Sequence, residues 1–512
     1  MLAPLPPPSP FPSVKQLLPC AWLSQTSPNR RGGGATPAEY IVDPGSFRPA
    51  LDQLHTGNPL GYPGYEESLA RARAHSGVDE SLLAGRATIV GHEVELAAFQ
   101  FRFMGGSMGE VAGERLARAF ERAATRKVPF VLCAATGGAR MQEGMRALVQ
   151  MPKAVVARLA LARAHQPFVA VLGNPTTGGV YASVGALADV TVAEEGATVG
   201  FAGPRIVQRY TAQPLRRGSH TAEMAAARGL VDACVPRAAL RAYVRRALEV
   251  LRPDEPDGVS PPGGATGTVP QDPWAAVEAV RERTRPTGRA LVDAVSDSQV
   301  TLSGDRSGED DPGLVAALVR LEGRRALVLA FDREHLPGPA AYRKARRCLA
   351  VAERLRIPVV SLVDTRGADP SEPSEGGGLA RSIAELFEAM LTVDTPTLSI
   401  VTGLGTSGGA LALAVADALF AFGDAVFSVT GPEAAAEILW RDADRAPEAA
   451  RLLGLTAPSL LHLGIADALV DGPLSLPALR EVVLYGLARL DTNADTSEQR
   501  RERRLERWRN CG

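Results

Sequence analysis

Two glycine pairs, each at the end of an apolar run, are the residues best suited to chemistry: Gly178-Gly179 in TTGGVYAS and Gly408-Gly409 in TSGGALALA. An apolar strand that turns through glycines into a helix start leaves backbone N–H groups unshielded, and the helix terminus adds partial positive charge. Two such groups aimed at one oxygen form an oxyanion hole, in which a single well-placed donor is worth about 3–4 kcal/mol of barrier. A second cluster, Gly137-Gly138-Ala139 and later Gly367-Ala368, also follows an apolar run. Each half of the chain therefore offers two backbone loops that can converge on one oxygen. A lone glycine pair more often serves only close helix-to-strand packing; recurrence at equivalent places is what points to function.

Side-chain catalysts are scarce. Ser107 in GGSMG and Ser407 in GTSGG match GxSxG, but neither is followed by an Asp-then-His pair, which argues against a hydrolase. Glu143 and Glu433 have the chemistry of general bases, although solvated or helix-capping roles fit their settings better. His220, His335 and His462 lack motif-like neighbours. GLGTSG from Gly403 matches GxGxxG, but the equivalent GNPTTG lacks the middle glycine, and no Lys-Ser/Thr follows either loop, which excludes a P-loop. The five cysteines are scattered, with no CxxC pair, so neither a disulfide framework nor a zinc ribbon is expected, and no metal. A net charge of -1 gives no broad attraction for nucleic acid. No apolar run is long enough to span a membrane.

The elements that must position these loops read as an α/β protein. Residues 1–40 are expected to form a Pro-rich disordered leader. A first domain over 41–250 contains strands within 87–103, a helix over 114–125, a buried strand over 128–134, a helix over 147–164 and a strand over 168–172. Residues 251–271, rich in Pro and Gly, read as a linker. A second domain over 272–485 repeats the pattern, with strands over 326–330 and 358–363 and helices over 340–354 and 381–391. The tail, 486–512, reads as a solvated helix because Glu498, Glu502 and Glu506 recur through its arginines at helical spacing. VPFVLCAATGGARMQEG from Val128 parallels IPVVSLVDTRGADPSEPSEGG from Ile357, and the separation of Pro129 from Pro167 equals that of Pro358 from Pro396. Matching across such an interval means two copies of one domain.

In the first half, FMGGSMGEVAGER from Phe103, TGGARMQEG from Thr136, NPTTGGVYAS from Asn174, AEEGATVGFAGPR from Ala193 and GLVDACVPR from Gly229 resemble the beta subunit of the bacterial-type acetyl-CoA carboxylase carboxyltransferase. In the second half, SGDRSGEDDPGLV from Ser303, AAYRKARRCL from Ala340, VDTRGADP from Val363, TSGGALALAVAD from Thr406 and PEAAAEILWRDADRAPEAA from Pro432 resemble the alpha subunit. The resemblance implies two tandem crotonase-like domains related by duplication. It implies transfer of the carboxyl group from carboxybiotin, carried on a separate biotin carboxyl carrier protein served by a biotin carboxylase, to acetyl-CoA or a related acyl-CoA, giving malonyl-CoA. Carried over residue by residue, Gly178 and Gly179 would hold the thioester oxygen, with Gly105, Gly106, Gly137, Gly138, Ala139 and Arg140 around the acyl-CoA. Gly408 and Gly409 would hold the biotin ureido oxygen, with Gly367, Ala368 and Ala410 around the biotin. A cytoplasmic homodimer or higher oligomer, with no nucleic acid or membrane partner, is also implied.

Three departures from the family pattern stand out. No four-cysteine ribbon precedes the first domain, Arg366 replaces the proline of the usual DTPGA, and Leu404 stands where an acidic residue is common. The last two bear on which acyl-CoA is served. A biotin-independent malonate decarboxylase, a hydratase or isomerase of the crotonase group, and a non-catalytic assembly subunit are the competing readings.

Overall fold

Long apolar strands, each followed by a helix with one apolar face, can bury both only by stacking helices on a sheet. In the computed structural model, which describes residues 36–51, 53–255, 269–492 and 495–511, this happens twice. The first sheet comprises β1 (Arg48–Ala50), β2 (Leu82–Ile89), β3 (His92–Phe99), β4 (Phe130–Thr136), β5 (Phe168–Thr177), β6 (Val190–Glu194), β7 (Val199–Gly200) and β8 (Ala233–Val235). The second comprises β9 (Ser298–Thr301), β10 (Leu314–Leu321), β11 (Arg324–Phe331), β12 (Val359–Thr365), β13 (Thr397–Thr406), β14 (Ala418–Phe422), β15 (Val426–Ser428) and β16 (Ala468–Val470). The strand orders are β1-β2-β3-β4-β5-β6-β8 and β16-β14-β13-β12-β11-β10-β9, with β7 on β5 and β15 on β13. In each sheet an antiparallel hairpin leads into parallel strands joined by crossover helices. The duplication read from the sequence is thus a duplication of topology.

β4, β5, β12 and β13 are buried over nearly their whole length, which suits strands covered on both faces. The expected helices form over Glu110–Arg126, Pro339–Leu355 and Leu379–Thr392. The helix expected over 147–164 is split into Gly144–Leu148 and Gln150–Arg163.

Two expected boundaries shift. Of the leader expected over 1–40, residues 1–35 lie outside the described residues, and the remainder is packed: Ala38 and Ile41 of a short helix are buried in the core and Tyr40 donates its hydroxyl to Glu194 at 2.5 Å. The tail expected over 486–512 begins inside the Leu476–Thr492 helix, and its second part, the helix Ser497–Arg509, is docked: Arg504 is 1% exposed and donates to Asp417 and to the carbonyls of Met390 and Val393. Its surroundings, rather than its own charge pattern, decide its role. Most of the expected linker, residues 256–268, lies outside the described residues.

The halves meet directly. Gly229 and Gly304 pack backbone to backbone so closely that a Cβ on Gly304 would overlap Gly229. Beside them the buried Asp232 carboxylate accepts the N–H groups of Thr191 at 2.8 Å and Ser303 at 3.1 Å, and the guanidiniums of Arg306 at 2.6 Å and Arg347 at 3.3 Å. Asp189 and Arg354 form a second ion pair across the junction. One continuous apolar core includes residues of both halves, among them Leu240 and Val244 of the Arg237–Val250 helix and Val300 of β9.

Candidate active site

β4 and β5 both end at the same edge of the first sheet, and their loops touch there. A Cβ on Gly178 would lie 2.7 Å from the Gly138 Cα, and one on Gly138 would lie 3.4 Å from the Gly179 nitrogen. Only glycine permits this approach. Gly178 has φ 71° and ψ -148°, a conformation closed to other residues, and it starts the Gly179–Ser183 turn. The loop after β4 is pinned on every side but one. Gly137 donates to the Gly105 carbonyl at 2.8 Å, Gly138 to the Thr136 hydroxyl at 3.0 Å and Arg140 to the Met108 carbonyl at 2.9 Å. Ala139 and Gly179 N–H groups donate to no acceptor among the described residues. These two, one from each loop, are what this half can offer an oxygen.

The second half repeats the construction. Gly367 donates to the Thr365 hydroxyl at 3.3 Å and Asp369 to the Pro337 carbonyl at 3.0 Å, matching Gly138 and Arg140 in the first half. Ala368 and Gly408 keep their N–H groups unused among the described residues. Gly409 packs against the Ala368 loop, where a Cβ would sit 2.9 Å from the Ala368 nitrogen and 2.7 Å from the Tyr342 hydroxyl. Around Gly408 nothing lies within 4 Å of such an atom.

Several expected site residues are therefore displaced. The glycine pairs are out of register by one: Gly178 corresponds to Ser407, whose φ is also positive at 64°, and Gly179 corresponds to Gly408. The Gly178 N–H is already given to the Phe201 carbonyl at 2.8 Å, so it is no donor to a ligand. Gly409 and Ala410 are buried packing residues, and Gly105 and Gly106 brace the Gly137 loop from behind.

Arg140 does not face a ligand either. It is 1% exposed and donates to Glu80, to Glu143 at 3.2 Å, to the Ser81 hydroxyl at 2.9 Å and to the Ser107 carbonyl at 2.7 Å. Glu143 is the capping carboxylate of the two roles considered for it. It accepts the Glu110 N–H at the start of the Glu110–Arg126 helix at 2.5 Å and the Tyr65 hydroxyl at 2.5 Å. Burial pushes the Tyr65 phenol up to about 12. Glu433 is held by Arg281 at 2.6 Å and 2.9 Å, and the Arg281 hydrogen bond keeps its carboxyl below the usual range. Ser107 donates to the Met104 carbonyl and Ser407 lies exposed; no hydrogen bond among the described residues joins either to a histidine.

Two cavities flank the Thr406–Gly408 turn. One, of about 340 Å³, is mostly apolar and includes Gly408, Leu411, Phe427 and Leu460 in its wall. The other, of about 660 Å³, lies toward Leu404 and Arg366 and is rich in arginine. Asp364 lines it, and burial raises its carboxyl above the usual carboxylate range. Among the described residues no group of three or more His, Cys, Asp or Glu side chains is arranged to hold a metal, and no helix is long and apolar enough to cross a membrane.

The chain is similar to known proteins along most of its length. A family model described as acetyl co-enzyme A carboxylase carboxyltransferase-like matches residues 270–512. The chain is 40% identical over 503 residues to a Salinispora arenicola protein named acetyl-coenzyme A carboxylase carboxyl transferase subunits beta/alpha, covering 91% of this chain and 89% of that one. It is 38% identical over 439 residues to a probable biotin-dependent acyl-coenzyme A carboxylase beta3 subunit of Mycobacterium tuberculosis, covering 84% and 87%. The fold is that of the transcarboxylase 12S subunit, solved as a hexamer with methylmalonyl-coenzyme A bound, with a TM-score of 0.74, 22% identity and 90% of each chain covered.

Proposed function

The chain belongs to the carboxyltransferases of biotin-dependent acyl-CoA carboxylases, and we propose that it moves the carboxyl group of carboxybiotin, held on a separate carrier protein, to acetyl-CoA to form malonyl-CoA. The observation that carries this reading is the doubled donor pair, Ala139 with Gly179 and Ala368 with Gly408. Carboxyl transfer to a thioester develops negative charge on two oxygens, the thioester oxygen as the enolate forms and the ureido oxygen as the carboxyl group departs. Donors fixed in advance at both stabilise the transition state more than the ground state.

In this reading Ala139 and Gly179 hold the thioester oxygen, and Ala368 and Gly408 hold the ureido oxygen. Carboxybiotin supplies the carboxyl group and, once that group has left, a base for the α-proton. The protein then has no need of its own general base, which agrees with Glu143 being consumed by a helix N-terminus. The apolar cavity beside Gly408, about 340 Å³, suits a compact bicyclic ring with a polar edge. The partners are a biotin carboxyl carrier protein and a biotin carboxylase, in the cytoplasm.

The site is completed by a second copy of the chain, the first half of one facing the second half of the other. Supporting this, each half exposes an apolar face on the segment after its glycine turn: Phe201, Ile206 and Tyr210 in one, Val429, Ile438 and Leu439 in the other. Patches of this kind mark interfaces, and a two-fold axis would pair them. A fully active monomer in sedimentation at assay concentration would rule this out.

The deciding experiment incubates the protein with carboxybiotinylated carrier and a panel of acyl-CoAs. Malonyl-CoA is the expected product. Release of CO2 from a malonyl thioester without biotin would instead identify a malonate decarboxylase, and carrier binding without turnover would identify an assembly subunit.

A further inference from the structure

The arginine-rich cavity beside the Thr406–Gly408 turn has no part in the reading above. Its lining includes Arg281, Arg283, Arg285, Arg333 and Arg366, drawn from three separate segments of the chain. Three of these pair with carboxylates: Arg281 with Glu433 at 2.6 Å, Arg285 with Asp424 at 2.5 Å and Arg333 with Asp364 at 3.5 Å. Arg283 and Arg366 are exposed and form no ion pair among the described residues.

Arg333 spends Nη2 on the Val280 carbonyl at 2.9 Å, but its buried Nη1 makes no hydrogen bond and stands 3.5 Å from Asp364 Oδ2. Asp364 Oδ2 is likewise buried and without a hydrogen bond, on a side chain 3% exposed that lines the cavity. These two buried atoms form an ion pair with each other at the cavity wall, so the cations left without a carboxylate are Arg283 and Arg366. Glu334 also lines the cavity, from an exposed position. Gly431 and Pro432, at the start of the Pro432–Trp440 helix, close one side and add the positive end of its dipole. Arg366 and Leu404 are also the two departures from the usual alpha-type pattern, one adding a cation and the other removing an acid.

We propose that this cavity is a second ligand site, specific to a phosphate group in its hydrogen phosphate or monoester form. Such a group offers anionic oxygens to Arg283 and Arg366, the two exposed guanidiniums of the lining. Guanidinium forks match that geometry and hold it with charge-assisted hydrogen bonds.

The test is calorimetric titration of the full chain with inorganic phosphate at low ionic strength, which reads binding without turnover and so stands or falls apart from the carboxyltransferase reading. One phosphate per chain is expected. In Arg283→Ala/Arg366→Ala, and independently in Arg366→Pro/Leu404→Glu, affinity should fall by about tenfold or more, the loss of a charged hydrogen bond. Unchanged circular dichroism and oligomeric state would show that the variants fold. Equal affinity in wild type and both variants, or titration without saturation, overturns the proposal. Competition separates the two sources of the group: displacement of phosphate by acetyl-CoA but not by its 3′-dephospho form supports the site and assigns it to the coenzyme's monoester. Displacement by neither supports a site for free phosphate.

Discussion

The two halves solve one problem with different residues. Each holds a strand-end loop against a turn of positive φ so that two N–H groups stay unspent, and each pins the residue after the alanine to a carbonyl in the loop that follows the neighbouring strand. In the first half that residue is Arg140, sunk among Glu80, Glu143, Ser81 and Ser107. In the second it is Asp369, near the surface, accepting hydrogen bonds from the hydroxyls of Ser371 at 2.7 Å and Ser374 at 2.5 Å. The turn is made by Gly178 in one and Ser407 in the other. The donor beside it is walled by Met151 in the first half, where a Cβ on Gly179 would meet the Met151 Sδ at 2.8 Å, and is open in the second. The backbone geometry is what duplication kept, and the side chains that enforce it were free to change.

That contrast can be broken most severely at the buried brace. Replacing Arg140 by Ala leaves Glu80 and Glu143 buried without their cation and should cost about 3–5 kcal/mol, read as a lowered midpoint of the first unfolding transition in scanning calorimetry. A similar size of effect, on rate instead of stability, is expected at the donors. Gly408→Val places a side chain in open space beside its N–H, and Gly179→Val must displace Met151, a flexible neighbour. Each should remove about 3 kcal/mol of transition-state stabilisation. With Gly179→Val, malonyl-CoA formation should collapse while carboxybiotin decarboxylation persists; with Gly408→Val the decarboxylation itself should fail while acetyl-CoA still binds. Identical losses in both assays would mean that the two halves do not divide the oxygens.

A smaller effect tests the turn. Ser407→Gly relieves a non-glycine residue at positive φ and should stabilise by about 1 kcal/mol, whereas Gly178→Ser, in a conformation closed to serine and against the Gly138 Cα, should destabilise. The smallest concerns Asp369, whose carboxyl the Ser374 and Ser371 hydroxyls hold below the usual range. Its contribution is present above the unfolded pKa of about 4 and fades as pH falls through the lowered folded value, and at this exposure it stays below about 1 kcal/mol. Asp369→Asn should flatten that acid-side decline in the thermal midpoint between about pH 5 and pH 3.

The duplication was legible because strand starts repeat at a constant offset, from Pro129 to Pro358 and from Pro167 to Pro396. The same offset carries Gly178 onto Ser407, yet matching by residue type pairs glycine with glycine and slips by one. The quantity shared by the two positions is a sign of φ, which residue letters record only partly. Arg140 reads as a ligand contact because it follows GGA in a loop; its partner Glu80 lies 60 residues earlier, so nothing local signals burial. The docked tail misleads for the same reason, since Asp417 and the carbonyls that take Arg504 are about a hundred residues away in the chain.

The contact between Gly229 and Gly304, with Asp232 at its centre, bears on how such a protein must be made. A first half synthesised in excess would present to water a carboxylate whose two arginines are missing, beside a glycine surface and apolar core residues shaped for another chain. Translation of both halves from one message delivers them in equal number and beside each other, so the junction closes without a search.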